Sequence, residues 1–194
     1  MSSYQKPPTV SDDQRAVDIY RKAADILHAR GFAGTSMGDI AETVDLTKGG
    51  LYYYIKGKEA LLFAIVNFAM DLIEKEVMAP AESEKDPQER LRKIIAAHLR
   101  LILREPSTMA LLVNDTDNLS NDHRSKVVAR KTAFVAFLRG TIEEVSPHGD
   151  SAIKAFSLLG MLHWTVRWYR PDGALGADEV IAQMTRLALR GLLG

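Results

Sequence analysis

The chain has 194 residues, and its 25 basic and 25 acidic side chains give a formal net charge of zero. It contains no cysteine, which excludes disulfide bonds, thiolate metal sites and cysteine nucleophiles. Hydrophobic residues make up 46% and charged residues 26% of the sequence, a composition typical of a soluble globular protein. The zero charge also argues against the broad basic surface of a non-specific architectural DNA-binding protein.

The first residues predict neither export nor membrane insertion. Residues 1–10 contain two prolines and several polar side chains, and they lack the apolar stretch of a signal peptide. No apolar run approaches the roughly 18 residues that would indicate a membrane-spanning helix. We therefore expect a cytoplasmic protein without a membrane partner. Residues 1–10 are expected to form a disordered arm.

Apolar residues recur at spacings of three and four along the whole chain, and no alternating strand pattern is present, so the sequence predicts an all-α fold. The first helix is expected to begin after an N-cap at Ser11 and to end at Gly31. Ser36 and Thr47 can cap two short helices at residues 37–44 and 48–54. After Gly57, a long helix is predicted for residues 58–78.

The second half of the chain predicts five further helices after a polar stretch. Residues 79–86 contain Pro80 and are mostly polar, which indicates a linker. Pro87 and Pro106 lie where a helix tolerates proline, in its first turn. The predicted helices are residues 87–104, 106–113, 121–145, 150–170 and 177–193.

Two short helices separated only by Asp45 and Leu46 have the layout of a helix-turn-helix, whose second helix enters the major groove of DNA. The charge distribution agrees with this interpretation. Residues 46–58 carry three lysines and no acid, whereas residues 1–45 carry 5 basic against 7 acidic and residues 59–194 carry 17 against 18. The same window contains three consecutive tyrosines, which can donate hydrogen bonds to phosphates or contact bases.

Residues 31–62 closely resemble the DNA-binding region of the TetR family of bacterial repressors. The matching residues are Gly31, Phe32, Thr35, Ile40, Ala41, Leu46, Lys48, Gly49, Leu51, Tyr52, Tyr54, Lys58, Leu61 and Leu62. The resemblance implies a three-helix DNA-binding domain at residues 11–56 and a larger helical effector-binding and dimerisation domain at residues 57–194. It implies a regulator of transcription, with double-stranded operator DNA as its partner, and no enzymatic activity or cofactor.

The resemblance also assigns roles to single residues. Thr35 is expected near a phosphate, and Tyr54 and Lys58 are expected to clamp phosphates. Thr47, Lys48, Gly49 and Tyr53 fall where the family contacts bases or adjacent phosphates. Leu46, Leu51 and Tyr52 are expected in the core.

The sequence departs from the family pattern at three positions in this region. Asp45 replaces the usual glycine of the turn and adds a negative charge, although aspartate tolerates a left-handed backbone. Ile55 replaces a phenylalanine. Gly50 presents no side chain at a position that varies among family members, so little base specificity is expected there.

A dimer is expected because one helix-turn-helix reads only a few base pairs, whereas a two-fold dimer reads a pseudo-palindrome. The last two predicted helices, residues 150–170 and 177–193, carry apolar residues wide enough for a core face and a partner face. TetR-like proteins dimerise through such a four-helix arrangement. The alternative is that these residues form only the core of one chain.

The middle helices are expected to enclose a small effector. Trp164, Arg167 and Trp168 share one helical face, and an arginine beside aromatic rings suits a flat or acyl ligand that carries a carboxylate or phosphate. The segment 163–173 resembles TetR-like regulators that respond to acyl-CoA thioesters. An acyl-CoA or another apolar acid is therefore the expected effector. The candidate lining residues are His98, Met109, Leu112, Phe134, Phe137, Leu138, His163, Trp164, Arg167 and Trp168.

The expected mechanism is a population shift in which the effector moves the helix at residues 58–78 and releases a repressor from its operator. Two alternatives stay open. A metal-responsive regulator would use His98 or His123, and the nearby Asp115, Asp117 and Asp122 form a further acidic cluster. A helical enzyme is the second alternative, although the five histidines show no metal-ligand spacing and no nucleophile or phosphate-loop motif is present.

Overall fold

The computed structural model describes residues 14–193, and within these residues the chain is helical, without a strand. The predicted all-α fold is thus confirmed, whereas the expected arm at residues 1–10 and the cap at Ser11 lie outside the described residues. The α-helices of the described part are α1 (Gln14–Arg30), α2 (Met37–Thr43), α3 (Lys48–Tyr54), α4 (Lys58–Leu72), α5 (Ala79–Glu82), α6 (Pro87–Arg104), α7 (Pro106–Asn114), α8 (Asn121–Val145), α9 (Ser151–Trp168) and α10 (Ala177–Leu193).

Side-chain caps fix the two short helices of the helix-turn-helix. Ser36 and Asp39 form a capping box at the start of α2, in which the Ser36 hydroxyl accepts from the Asp39 amide at 3.1 Å. Thr47 caps α3 by accepting from the Gly50 amide at 3.0 Å. Between the helices, Asp45 adopts a left-handed backbone with φ 58°, which gives the tight turn that its position demands.

The helix that follows the helix-turn-helix is longer than expected. After α4, a π-helical segment at Ile73–Met78 leads directly into α5, where the Ala79 amide donates to the Glu74 carbonyl. The prediction of a linker at residues 79–86 is therefore wrong for its first half, since the chain stays helical through Pro80 to Glu82. Proline normally breaks a helix, but the altered hydrogen-bond register of a π segment accommodates it here.

The larger half of the protein is built around α6. Seven residues of this helix are buried, and it packs against α8, α9 and α10. α7 joins the two halves, because it contacts α1 and α4 on one side and α6 and α9 on the other. Together these contacts place one continuous apolar core under both the helix-turn-helix and the helical bundle.

Within residues 14–193, none of the helices combines the length and the apolar character that crossing a lipid bilayer requires.

Candidate functional site

The outer face of α3 is the most exposed aromatic surface of the helix-turn-helix. Leu51 is completely buried on the inner side of α3, and this anchors the helix, which packs against α2, in the apolar core. Lys48, Gly49, Tyr52 and Tyr53 lie on the opposite side, and Tyr53 is 86% exposed. Two adjacent tyrosines and a lysine with no packing function form a surface that can donate to phosphates and contact bases.

The structure corrects the expectation that Tyr52 lies in the core. Tyr52 is 44% exposed, because Leu51 already fills the inner position of this two-turn helix. Its position four residues after Lys48 places it on the outer face, a spacing from which its exposure could have been inferred. Tyr54 is half-exposed and packs edge-on against the Tyr53 ring at 5.4 Å, so it supports Tyr53. Leu46 is partly buried against the core, as expected.

Two residues that are expected to contact phosphates make hydrogen bonds within the protein. The Thr35 side chain is buried, and its hydroxyl donates to the Gly31 carbonyl at 2.9 Å. The Lys58 ammonium donates to the carbonyls of Phe32 at 2.6 Å and Thr35 at 2.8 Å, and it stands 4.4 Å from the centre of the Phe32 ring. In this conformation both residues hold the loop between α1 and α2, and their contacts with DNA phosphates stay predictions.

The acidic residue in the turn is paired. The Lys22 ammonium contacts the Asp45 carboxylate at 2.7 Å, and this contact lowers the pKa of Asp45. Most of the negative charge that Asp45 adds beside the candidate DNA face is therefore offset by a lysine on α1. Thr47 and Gly49 both lie next to this turn, at the N-terminal end of α3, and Gly49 is exposed.

A cavity of about 270 Å³ lies in the helical half between the α4–π junction, α6, α7, α8 and α9. Most of its wall is aliphatic or aromatic, so the cavity is apolar and has few polar groups. The lining residues are Met70, Ile73, His98, Leu112, Val113, Lys131, Phe134, Val135, Phe156, Leu159, Gly160 and His163.

Two histidines meet in the cavity wall. The Nε2 atoms of His98 and His163 are 3.3 Å apart, and the His98 ring also stacks on Phe134. Burial lowers the pKa of His98 to about 3 and the pKa of His163 to about 4, with a smaller contribution from a neighbouring charge in each case. Both imidazoles are therefore neutral at pH 7, and one donates a hydrogen bond to the other.

Lys131 is a functional candidate that the sequence analysis missed. Its ammonium donates to the Leu112 carbonyl at 3.1 Å and lies in the wall of the apolar cavity. Burial lowers the pKa of Lys131. A lysine that belongs to no motif carries no mark in the sequence, so only the fold could reveal it.

A second pocket of about 240 Å³ adjoins the first and shares Val113, Gly160 and His163 with it. Trp164 and Arg167 line this pocket as expected. His28 also lines it, although it comes from α1, the first helix of the DNA-binding half. A ligand that fills both pockets therefore touches an element of the DNA-binding half.

The structure does not bring four of the expected residues, Met109, Phe137, Leu138 and Trp168, to either pocket. Met109 and Leu138 are buried in the core, and Phe137 is packed against it. Trp168 is 44% exposed at the end of α9. Spacing alone could not separate these side chains from their neighbours, because residues three and four apart share a helix face without sharing a cavity.

Charged side chains link the cavity walls to the DNA-binding half. Arg130, next to Lys131 on α8, contacts Asp71 at 2.6 Å and Glu74 at 2.8 Å and thereby ties α8 to α4 and the π segment. At the α6–α7 junction, the buried Glu105 carboxylate receives Nη2 of Arg21 on α1 at 2.6 Å. These ion pairs connect α8 to α4 and to the π segment, and they connect the α6–α7 junction to α1.

The histidine and the acidic residues near the start of α8 contact other side chains of the protein. The His123 ring nitrogen Nδ1 lies 2.9 Å from the Glu59 carboxylate, and the ring stacks on Phe63 of α4. Asp122 pairs with Lys126, and Asp115 accepts from Asn118. Over residues 14–193, the structure shows no group of three histidine, aspartate or glutamate side chains that could hold a metal ion.

These features define a helix-turn-helix protein with an apolar cavity in its helical half, and comparison with known proteins identifies its family. Residues 19–65 match the model of bacterial regulatory proteins of the tetR family, and residues 84–192 match the tetracyclin repressor-like C-terminal domain. The chain belongs to the TetR family. It is a DNA-binding transcriptional regulator and not an enzyme.

The chain is similar to relatives over nearly its whole length. The crystal structure of AibR in complex with isovaleryl coenzyme A and operator DNA is 34% identical, with a TM-score of 0.80, and the match covers 90% of this chain and 97% of that one. The repressor KstR2 of Rhodococcus jostii (strain RHA1) is 24% identical in an alignment of 197 positions that covers 96% of this chain and 97% of the relative. The TetR family regulator PfmR of Thermus thermophilus is 29% identical with a TM-score of 0.78, over 89% of this chain and 97% of that one.

Proposed function

We propose that the protein is a homodimeric repressor that binds operator DNA through α3 and releases it when an acyl-CoA thioester enters the central cavity. One observation carries this proposal: the cavity and the adjoining pocket are lined in part by residues of α1 and α4, the helices that precede and follow the helix-turn-helix and pack against each other. Met70 and Ile73 come from the α4–π junction and His28 comes from α1. An effector in this position directly contacts the helices that precede and follow the helix-turn-helix.

The two adjoining pockets fit the two parts of an acyl-CoA. The first pocket is apolar and suits an acyl chain, while the second contains Arg167, whose guanidinium suits a phosphate, and the exposed Trp164. Each pocket alone is small for a ligand site, whereas the pair reaches the roughly 300–1,000 Å³ that such sites occupy. The relative AibR, crystallised with isovaleryl coenzyme A and operator DNA, supports this class of effector.

The proposed response is a shift between two arrangements of α1 and α4. A ligand favours the arrangement to which it binds more tightly, and this preference is the only source of the change in DNA affinity. The Arg130 contacts to Asp71 and Glu74 and the Arg21 contact to Glu105 carry the displacement. The π segment at Ile73–Met78 follows α4 directly, and such segments are frequent at functional sites.

The dimer that operator recognition requires is proposed to form through α9 and α10. Ile153 and Phe156 on α9 and Leu187 on α10 are each at least 60% exposed, although all three are large and apolar. A shallow apolar groove between the two helices also contains Met161 and Leu192. Exposed apolar surface of this extent is typical of an interaction site.

The proposal also includes the domain boundary and the cellular location. We keep the division of the chain into a DNA-binding domain that ends at residue 56 and an effector and dimerisation domain that begins at residue 57. The cytoplasm is the proposed location, since the operator DNA that the protein binds is found there.

The DNA-binding part of the proposal is tested with Lys48→Ala combined with Tyr53→Ala. Both side chains are exposed and have no role in the core, so the variant keeps its fold but loses operator affinity by at least tenfold in a gel-shift titration. Lys75→Ala is the matched control, because it removes one exposed positive charge from the effector half. If the double variant binds the DNA upstream of its gene as tightly as the unmodified protein, α3 is not the reading helix.

A further inference from the structure

The polar groups in the apolar cavity are three nitrogen-bearing side chains, and no acidic side chain lines this wall in the described part of the protein. His98 and His163 contribute neutral imidazoles, and Lys131 contributes an amine. Lys131 lies close enough to His163 for its charge to lower the pKa of that histidine. The three groups therefore form a row in the cavity wall in the order Lys131, His163 and His98, of which only the two histidines are in hydrogen-bond contact.

One end of this row lacks a partner. His98 is only 1% exposed, its Nε2 is engaged with His163, and its Nδ1 has no hydrogen-bond partner among residues 14–193. Buried polar atoms are nearly always paired, so the orphaned nitrogen of a ring that lines the cavity is a candidate partner for a polar group of the ligand. The tautomer in which His163 donates to His98 leaves Nδ1 as a donor.

The other end of the row carries unbalanced charge. A lysine ammonium has three donors, and in the described residues the Lys131 ammonium uses one, toward the Leu112 carbonyl. No carboxylate of residues 14–193 lies within ion-pair distance of it, and Asp117, whose charge acts on its pKa from farther away, does not line the cavity. A cation beside an apolar cavity is best balanced by an anion that the ligand supplies.

We propose that the acyl group of the effector carries a second carboxylate, which pairs with Lys131 and accepts a hydrogen bond from His98 inside the cavity. The effector is then the CoA thioester of a dicarboxylic acid, an inference that rests on the proposed acyl-CoA response. The aliphatic wall holds the methylene chain between the two ends, and the thioester lies toward the pocket that contains Arg167. Neutral imidazoles suit this role, because they can donate to the carboxylate without adding a charge to the unoccupied cavity.

The test measures the affinity of the full-length protein by calorimetry for CoA thioesters paired by carbon number: glutaryl-CoA against valeryl-CoA, adipyl-CoA against hexanoyl-CoA, and suberyl-CoA against octanoyl-CoA. The expected result is at least tenfold tighter binding of the dicarboxylic member in the pair whose length matches the cavity. Lys131→Met should abolish this preference and change the affinity for the monocarboxylic member by less than threefold. Lys131→Arg should retain part of the preference.

Lys126→Met serves as the control, because Lys126 lies on the same helix but pairs with Asp122 at the surface. The inference is overturned if the monocarboxylic thioester binds as well in every pair, or if the preference survives Lys131→Met. It is also overturned if an uncharged keto analogue, 5-oxohexanoyl-CoA, matches adipyl-CoA. Tight binding of valeryl-CoA without a preference leaves the proposed function standing, whereas failure of every thioester to bind overturns both.

Discussion

Lys58→Met separates a structural role for Lys58 from a role in DNA binding. The ammonium makes hydrogen bonds of 2.6 and 2.8 Å to the carbonyls of Phe32 and Thr35 and a contact of 4.4 Å with the Phe32 ring. A hydrogen bond to a charged group contributes about 1.5–3 kcal/mol, and a cation–π contact about 0.5–1 kcal/mol at a partly exposed site. Methionine keeps the aliphatic stem and removes all three interactions.

The lower ends of these ranges sum to about 3.5 kcal/mol, and the net loss is smaller because the carbonyls of this loop are only partly buried and water replaces part of what they lose. We expect the free energy of unfolding to fall by about 2–3 kcal/mol, which corresponds to a melting temperature lower by roughly 5–10 °C for a chain of this size. The assay is urea denaturation followed by circular dichroism at one fixed protein concentration, because the stability of a dimer depends on concentration.

Lys56→Met is the matched control, because Lys56 is exposed and two residues away. Its effect on stability should stay within about 0.5 kcal/mol. A structural role for Lys58 is contradicted if Lys58→Met is as stable as the unmodified protein while its operator affinity falls tenfold or more with a reduced dependence on salt. That outcome would assign the ammonium to a DNA phosphate, as the family resemblance implies.

The remaining predictions concern the cavity and its links. Burial holds the pKa of His98 near 3 and the pKa of His163 near 4, whereas both are about 6.5 in the unfolded chain. The unfolded state therefore binds more protons, and the free energy of unfolding should fall as the pH drops from about 6.5 to about 4. Urea titrations should show a smaller fall for the His98→Leu, His163→Leu double variant. Gly160→Leu places a side chain at the junction of the two pockets, where an added Cβ meets no atom within 4 Å, and should weaken acyl-CoA binding by at least tenfold in calorimetry without loss of operator affinity. Glu105→Gln removes the charge that pairs with Arg21 while keeping the side-chain shape. In anisotropy titrations, the effect of ligand on DNA affinity should be several-fold smaller for this variant, and an unchanged effect would contradict the role of the ion pair.

The helix-turn-helix could be predicted in detail because its signals are local. Ser36 and Thr47 are capping residues whose partners lie three positions away, and both form the expected contacts. The tight turn at Asp45 follows from the two residues available to it. Each of these features depends on neighbours in sequence, so no knowledge of the tertiary fold is needed.

The environment of single side chains depends on contacts that are distant in sequence, and there the prediction was weaker. Lys58 fits a phosphate clamp by position, but its ammonium reaches a loop 23 to 26 residues earlier. Met109 and Phe137 fit the helical face of a ligand site, yet both pack in or against the core outside the cavity. Lys131 was missed because nothing near it in the sequence distinguishes it from a surface lysine.

The continuation of the helix through Pro80 has a similar cause. Proline normally ends a helix, since it lacks the amide that donates to the carbonyl four residues earlier. The π segment at Ile73–Met78 changes this register before Pro80 is reached, and the chain remains helical to Glu82. A π segment has no sequence signature of its own, so the extended helix could only be found in the structure.

The central claim is that occupancy of the cavity controls the affinity of α3 for DNA. The most direct measurement is the anisotropy of a labelled fragment from the DNA upstream of the gene, titrated with protein in the presence and absence of a saturating acyl-CoA. We expect the ligand to raise the Kd for DNA by roughly 5- to 150-fold, the range of a coupling free energy of about 1–3 kcal/mol, and we expect Gly160→Leu to need at least tenfold more ligand for the same effect. An unchanged Kd in the presence of a thioester that calorimetry shows to be bound would contradict the central claim.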